Sequence, residues 1–254
     1  MVWHTFKWPR RPYFGAVLRP FHRHERIRWY NILRGWTFKK WRRKWFSSES
    51  HFLLQKRDGR IRVYRHRNEH LSSSRVQEVD SYGGGSVMMW AGISDDRKTE
   101  LVHVPGNLRD VRYRDEIIQP HLMRVIDRQR ELFQQENVRP HTARLAMDYL
   151  EQNNIIVLPW PSKSPDLNPI KHLWDHLDKR VHQRQPAPQT LDQLCQILEQ
   201  EWRTIPINNI RELIESMPRR CRAVLVPVLT LTWPEVCWTV INWLSYTNHW
   251  RIDC

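Results

Sequence analysis

The apolar positions of this chain fall into short strand-length runs separated by segments with helical spacing. Residues 45–54 alternate loosely between apolar and polar and predict a strand. Residues 60–65, beyond the turn signal Asp58-Gly59, predict its hairpin partner. After the flexible break at Gly83-Gly-Gly, the apolar run 86–93 has the composition of a buried strand, with Met88, Met89 and Trp90 as core. A further strand, 99–104, follows across the turn at Asp95-Asp96. Residues 111–130 predict a helix, kinked at Pro120, that places Tyr113, Ile117, His121 and Val125 on one stripe. Then come a short extended run at 132–135, a helix at 141–153 and a strand at 155–158 stopped by Pro159. Asn168 caps the next helix, with Pro169 at its first position, where a missing N–H costs nothing. Thr190 and Gln193 form a capping-box pattern ahead of an apolar face of Leu191, Leu194, Cys195, Leu198 and Trp202. A last helix, 208–217, runs up to Pro218, which should break it. At the front of the chain, 23–33 and 37–44 predict helices, with Thr37 as a cap. Alternating strands and helices in this order predict an α/β fold.

Charge adds a partner to this picture. The 254 residues carry a net +14, and residues 1–70 hold 19 Lys and Arg against four acids (Glu25, Glu49, Asp58 and Glu69). A basic segment beside a nearly neutral body suits a polyanion, most simply nucleic acid. The four cysteines are far apart and suggest neither a zinc set nor a disulfide framework, which fits a reducing compartment. Residues 223–244 are apolar and long enough for a bilayer, but Pro227 and Pro234 interrupt them, so no membrane span is expected.

Several separated segments carry a family likeness. Residues 46–52 read Phe-Ser-Ser-Glu-Ser-His-Phe, and residues 133–143 read Phe-Gln-Gln-Glu-Asn-Val-Arg-Pro-His-Thr-Ala. Residues 164–175 read Ser-Pro-Asp-Leu-Asn-Pro-Ile-Lys-His-Leu-Trp-Asp, and residues 83–114 include Gly106-Asn-Leu and Val111-Arg-Tyr-Arg-Asp. From about Arg10 to Val226 the chain resembles the catalytic core of the mariner-superfamily DNA transposases, in the Tc-like branch. The resemblance implies a ribonuclease H-like mixed sheet of five strands flanked by helices, with a basic N-terminal arm. It further implies a site in which three carboxylates hold two magnesium ions and cut DNA. That family has its first Asp in Phe-Ser-Asp-Glu-Ser-Arg-Phe and its second in Phe-Gln-Gln-Asp-Asn-Ala-Arg-Pro-His-Thr-Ala. Its third acid is the Glu of Ser-Pro-Asp-Leu-Asn-Pro-Ile-Glu-His-Leu-Trp. The matching catalytic positions here are Ser48, Glu136 and Lys171, and the family's spacing of thirty-four residues between the last two is kept. All three are substituted.

Magnesium takes hard oxygen ligands, and two-metal chemistry needs the charge of several carboxylates. Ser48 is a weak neutral ligand, and Glu136 is a metal ligand that reaches one methylene too far. Lys171 puts an ammonium where an ion would sit. At about 4 Å and an effective dielectric of about 20, its repulsion of a dication is roughly 8 kcal/mol before screening. Glu49, next along the strand, should point away. Asp175 reads as an i, i+4 partner of Lys171, and Asp166 as part of a turn. His172 and His176 share a helix face with no third ligand suggested, and read as solvent-facing.

The expected organisation is a basic arm over residues 1–44, left from the DNA-binding half, whose helix-turn-helix pair has no counterpart here. A degenerate catalytic domain follows over 45–226, with an unrelated extension over 227–254. DNA contacts are expected from Arg10, Arg11, Arg23, Arg26, Arg28, Lys39, Lys40, Arg42, Arg43, Lys44 and Arg139. No cofactor should bind tightly, magnesium or manganese serving the intact family. The partner is DNA, bound without sequence preference in the nucleus, and a homo-oligomer stays open. The reading is a transposase-derived DNA-binding protein that has lost metal-dependent cleavage and strand transfer. An active or partly active transposase, or a translated transposon relic without selected function, are the alternatives.

Overall fold

The computed structural model describes residues 8–10, 18–54, 63–65 and 85–225. Arg11, the Asp58-Gly59 turn, most of the glycine run and the extension beyond residue 225 lie outside them. The first elements are β1 (Trp8–Arg10), α1 (Pro20–Leu33) and α2 (Phe38–Trp41). Strands β2 (Lys44–Leu53), β3 (Val63–Arg65), β4 (Ser86–Ile93) and β5 (Val102–His103) follow. A short helix α3 (Asp110–Arg112) then widens into a π-helical segment, Tyr113–Leu122. Next come β6 (Leu132–Gln134), α4 (Arg139–Thr142), α5 (Arg144–Gln152) and β7 (Ile156–Val157). Helices α6 (Ile170–Gln183), α7 (Leu191–Thr204), α8 (Ile207–Glu215) and α9 (Met217–Ala223) close the described chain.

Five strands form one mixed sheet in the order β5-β4-β2-β6-β7. Strand β2 pairs antiparallel with β4 on one side and parallel with β6 on the other, and β7 continues the parallel half. Helices cover both faces, which is why the expected alternation in β2 fails at its start. Lys44, Trp45, Phe46, Ser47 and Ser48 are all buried, because a central strand between two layers has no wet side. Successive side chains still face opposite layers. Phe46, Phe52, Met89, Ala91 and Ile93 pack with α1, α2 and the last four helices. On the other face, Trp45, Trp90 and Phe133 pack with Tyr113, Ile117 and Ile118 of the π segment and with Leu150 of α5.

Much of the tryptophan content belongs to the first layer. Trp41 is fully buried and touches the rings of Trp29, Trp36 and Phe46 at 5.0 to 6.2 Å between centroids. Trp29 also donates its indole N–H to the Pro159 carbonyl at 2.7 Å, fastening α1 to the loop that follows β7. Lys98 closes the C-terminal end of α7 by donating to the carbonyls of Trp202, Arg203 and Ile205 at 2.6 to 3.1 Å. It supplies the cation and the donors that a helix end lacks.

Four expectations are corrected. Residues 63–65 are not the hairpin partner of β2; β3 pairs antiparallel with β1, and β4 takes the place beside β2. The helix expected over 111–130 ends at Leu122, and its π-helical winding buries Tyr113, Ile117, Ile118 and Leu122 while His121 and Val125 are only half-buried. The helix expected over 141–153 is split at Ala143, whose backbone is extended (ψ 140°). The buried Gln135 amide takes the His141 carbonyl at 3.1 Å, the acceptor that an unbroken helix would have used. Pro218 opens α9 in the first turn, where proline is tolerated, and the break falls at Ser216.

Candidate active site

The parallel pair β2/β6 lays two strand ends side by side. Phe46 is in register with Gln134, so Ser48 and Glu136 each stand two residues beyond a paired position. Between them the backbone is fixed: Ser47 donates its hydroxyl to the Gln134 carbonyl at 3.0 Å. The first turn of α6 is pinned to the same edge by Asn168. Its side-chain amide donates to the Ser47 carbonyl at 3.0 Å, and its side-chain oxygen accepts from the Ile170 N–H at 3.4 Å. Asn168 is wholly buried, so this tie is insulated from water. Lys171, three residues beyond Asn168, is thereby aimed across the strand ends.

The three positions converge on one carboxylate oxygen. The Lys171 ammonium lies 2.7 Å from Glu136 Oε1, and Ser48 Oγ lies 3.2 Å from that same oxygen and 3.0 Å from the Glu49 carbonyl. Lys171 Nζ also reaches the Glu49 carbonyl at 3.4 Å. Ser48 is fully buried, and the Glu136 and Lys171 side chains are each 28% exposed. The cluster has an ammonium and a carboxylate in contact and sums to zero charge.

Behind it lies a second hydrogen-bonded layer. His141 Nδ1 is 3.0 Å from the Glu136 carbonyl, and its Nε2 is 3.1 Å from Glu49 Oε1. A carbonyl can only accept, so Nδ1 carries hydrogen. The contact at Nε2 then needs one more proton, held on the ring or on Glu49. Tyr113 stacks on His141 with ring centroids 4.1 Å apart and donates to Gln135 Oε1 at 2.8 Å. Burial, followed by the negative charges of Glu49 and Glu136, pushes the Tyr113 phenol well above its ordinary range.

Residues 43–195 match the family model for the DDE superfamily endonucleases. The chain is 32% identical over 220 residues to the Tcb1 transposable-element transposase of Caenorhabditis briggsae, covering 85% of this chain and 79% of that one. It is 31% identical over 219 residues to the Tc1 transposase of Caenorhabditis elegans, with the same coverage. The chain belongs to the DDE superfamily of transposase endonucleases. Among solved structures, the catalytic domain of the Mos1 transposase, determined with raltegravir and magnesium, superposes with a TM-score of 0.63 at 17% identity. That match covers 86% of this chain and all of the other. The Mos1 mariner paired-end complex with manganese gives 0.65 at 18% identity, over 84% of this chain and 64% of the other. The fold is therefore the ribonuclease H-like fold of these transposases.

Several side chains take other places than a DDE transposase sequence suggests locally. Glu49 does leave the Ser48 side of β2, yet its carboxylate stays in the site through His141. Asp166 does more than shape a turn: it accepts both terminal nitrogens of Arg26, at 2.7 and 2.6 Å, and its carbonyl accepts from Arg220 at 2.8 Å. Arg26 is buried in that pair and is withdrawn from the expected DNA contacts. Arg42 remains half-exposed but donates to the buried Asp95 at 2.6 Å. Lys44 is buried, with its ammonium 4.7 Å from the centre of the Trp36 ring. Arg28, Lys39, Lys40, Arg43 and Arg139 are exposed, and Arg23 is half-buried. Arg10 lies in β1. Lys171 pairs with Glu136 and not with Asp175. His172 and His176 are half-buried and not solvent-facing. Burial, with Arg220 and Lys179 nearby, lowers His172 to about 4, so it stays neutral. Among the described residues no group of three or more His, Cys, Asp or Glu is arranged to hold a metal ion.

Lys44 offers a test of this placement. Burial first, then Arg43 and Lys40, lowers its pKa to about 8, well below that of a free lysine. The folded state therefore releases the proton near pH 8, while the unfolded chain keeps it to about 10.4. In that window the unfolded state binds more protons, so this group makes stability rise with pH. Lys44→Met removes the contribution. The variant should melt above the parent at pH 7, and the difference should shrink as the pH approaches 10. A pH-independent difference would place Lys44 in solvent.

Proposed function

We propose that this chain is a transposase-derived DNA-binding protein, with residues 45–226 as its catalytic-type domain, in which metal-dependent cleavage and strand transfer have been lost. The observation that carries the reading is the Lys171 ammonium at 2.7 Å from Glu136 Oε1. A divalent ion at this site would need carboxylates from these strand ends and this helix, and would supply Lewis-acid chemistry to phosphate oxygens. Here the one carboxylate among the three positions is neutralised by an internal cation, and its hydrogen-bonding oxygen is shared with Ser48. These donors do not fit magnesium or manganese. Asp166 is not a ready replacement, since Arg26 occupies both of its oxygens. The reading places the protein with its DNA in the nucleus, bound through the exposed basic residues of the first two helices.

The test combines a binding titration with a cleavage assay. Duplex DNA should bind with little sequence preference and with an affinity that falls steeply with salt, as phosphate contacts dictate. Incubation with transposon-end DNA and magnesium or manganese should yield neither nicks nor joined strands. Metal-dependent cleavage that disappears in Glu136→Ala would overturn the inactive reading. A footprint on one sequence surviving about 0.3 M salt would overturn the non-specific mode.

A further inference from the structure

The sequence offers Arg26, Arg42 and Lys44 as DNA contacts, and the fold engages all three with acids or buries them. It brings others into their place from the far end of the chain. Helix α9, Met-Pro-Arg-Arg-Cys-Arg-Ala, packs against both α1 and α2. Arg220 is its inward residue: it is buried, donates to the Asp166 carbonyl at 2.8 Å and to Ser216 Oγ at 2.7 Å, and burial lowers it to about 10. Arg26 of α1 meets the same Asp166, so α1 and α9 are joined at one residue. Arg219 and Arg222, on either side of Arg220, are exposed. Neither α2 nor α9 contains an acidic residue, and α1 contains only the half-buried Glu25. The exposed acids Glu212 and Glu215 stand on the preceding helix α8.

We propose that Arg219 and Arg222 of α9 form, with Arg28 of α1 and with Lys39, Lys40 and Arg43 around α2, one composite surface for the phosphate backbone of duplex DNA. This rests on the DNA-binding reading above and adds to it the last described helix, which no contact expected from sequence includes. Charge complementarity selects the occupant, since these adjacent helices present exposed cations and the acid that joins α1 to α9, Asp166, is already paired with Arg26. The contact is to backbone only, because separate side chains on three helix exteriors place no element in a groove.

The test is the slope of log affinity against log salt, measured by fluorescence anisotropy with a random-sequence duplex. Each lost phosphate contact should flatten the slope by about 0.9. Arg222→Gln should therefore flatten it by about 0.9 at unchanged melting temperature, and the Arg219→Gln/Arg222→Gln pair by about 1.8. Among the described residues Arg222 donates within its own helix, to the Pro218 carbonyl at 3.3 Å, so its single variant keeps the test sound if the pair destabilises the fold. A parental slope retained by folded Arg222→Gln and by Arg222→Glu overturns the composite surface and leaves DNA binding intact. A parent that binds no duplex overturns the underlying reading as well. Loss of binding to phosphatidylserine vesicles in these variants, with the DNA slope unchanged, would make a membrane the occupant and overturn DNA.

Discussion

A variant carrying Ser48→Asp, Glu136→Asp and Lys171→Glu shows a melting temperature that rises with magnesium or manganese, and the parent shows none. The expectation follows from the convergence of all three positions on Glu136 Oε1, with Lys171 Nζ at 2.7 Å and Ser48 Oγ at 3.2 Å. Replacing the ammonium and the hydroxyl by carboxylates puts three negative groups where one neutralised group stood. Like charges at that range repel, so without metal the variant should be no more stable than the parent, and lower if anything. An ion that binds only the folded state reverses this, contributing about 2.7 kcal/mol at a hundred times its dissociation constant. For a chain of this size that is a rise of roughly 5–11 °C. Differential scanning fluorimetry against metal concentration reads it directly. Equal metal response in the two proteins would show that these residues are not the metal positions of the family.

Asp166→Ala should be among the most damaging single changes outside the apolar core. It leaves Arg26, whose side chain is 9% exposed, with a buried charge and no carboxylate, close to the buried Arg220. Breaking one side of a buried pair costs about 3–5 kcal/mol. Asp166 itself is 47% exposed, so solvent enters more readily and the lower end, about 3 kcal/mol, applies. The melting temperature should fall by roughly 6–12 °C. Arg26→Met, which removes the charge along with its partner's role, should cost less. The double variant should lose well less than the sum of the two single losses. Strict additivity would mean that the pair is not the source of the effect. Because Asp166 stands two residues before Asn168, the same change should also loosen the first turn of α6 and with it Lys171.

Local pattern carried what depends on neighbours in sequence. The strand at 86–93 is legible because eight successive residues suit burial on both faces, and β4 has those bounds. The cap of α7 is legible because Thr190 and Gln193 sit three apart, and the Gln193 N–H does donate to Thr190 Oγ1 at 3.2 Å. The side chain of Gln193 instead reaches the Gln189 N–H, one residue earlier than the capping box has it. What the pattern hides are partners distant in sequence. Arg26 reads as a surface cation since nothing near it in the chain could hold it, and Asp166 is 140 residues away. The split at Ala143 depends on a hydrogen bond from Gln135, and β3 looks like a hairpin partner because a strong turn signal precedes it. At the candidate site the meeting of Ser48, Glu136 and Lys171 could be anticipated from the resemblance to the family's motifs, which places its three carboxylates at these positions. The inclusion of Glu49 could not, because strand alternation correctly sends it to the other face and says nothing of His141 waiting there.

The joint at Asp166 also sets an order of events when the protein is made. Helix α1 is seated by Asp166, and Asp166 is in turn held by Arg220, 54 residues later. At synthesis rates of about 5–20 residues per second, the ribosome needs roughly ten to forty seconds to travel from the first of these residues to the last. Through that interval the arginines and lysines ahead of β2 have no finished body to dock on. Within this stretch the nascent chain thus presents the cations of α1 and α2 before their anchor at Arg220, and a polyanion within reach is the RNA of the ribosome itself.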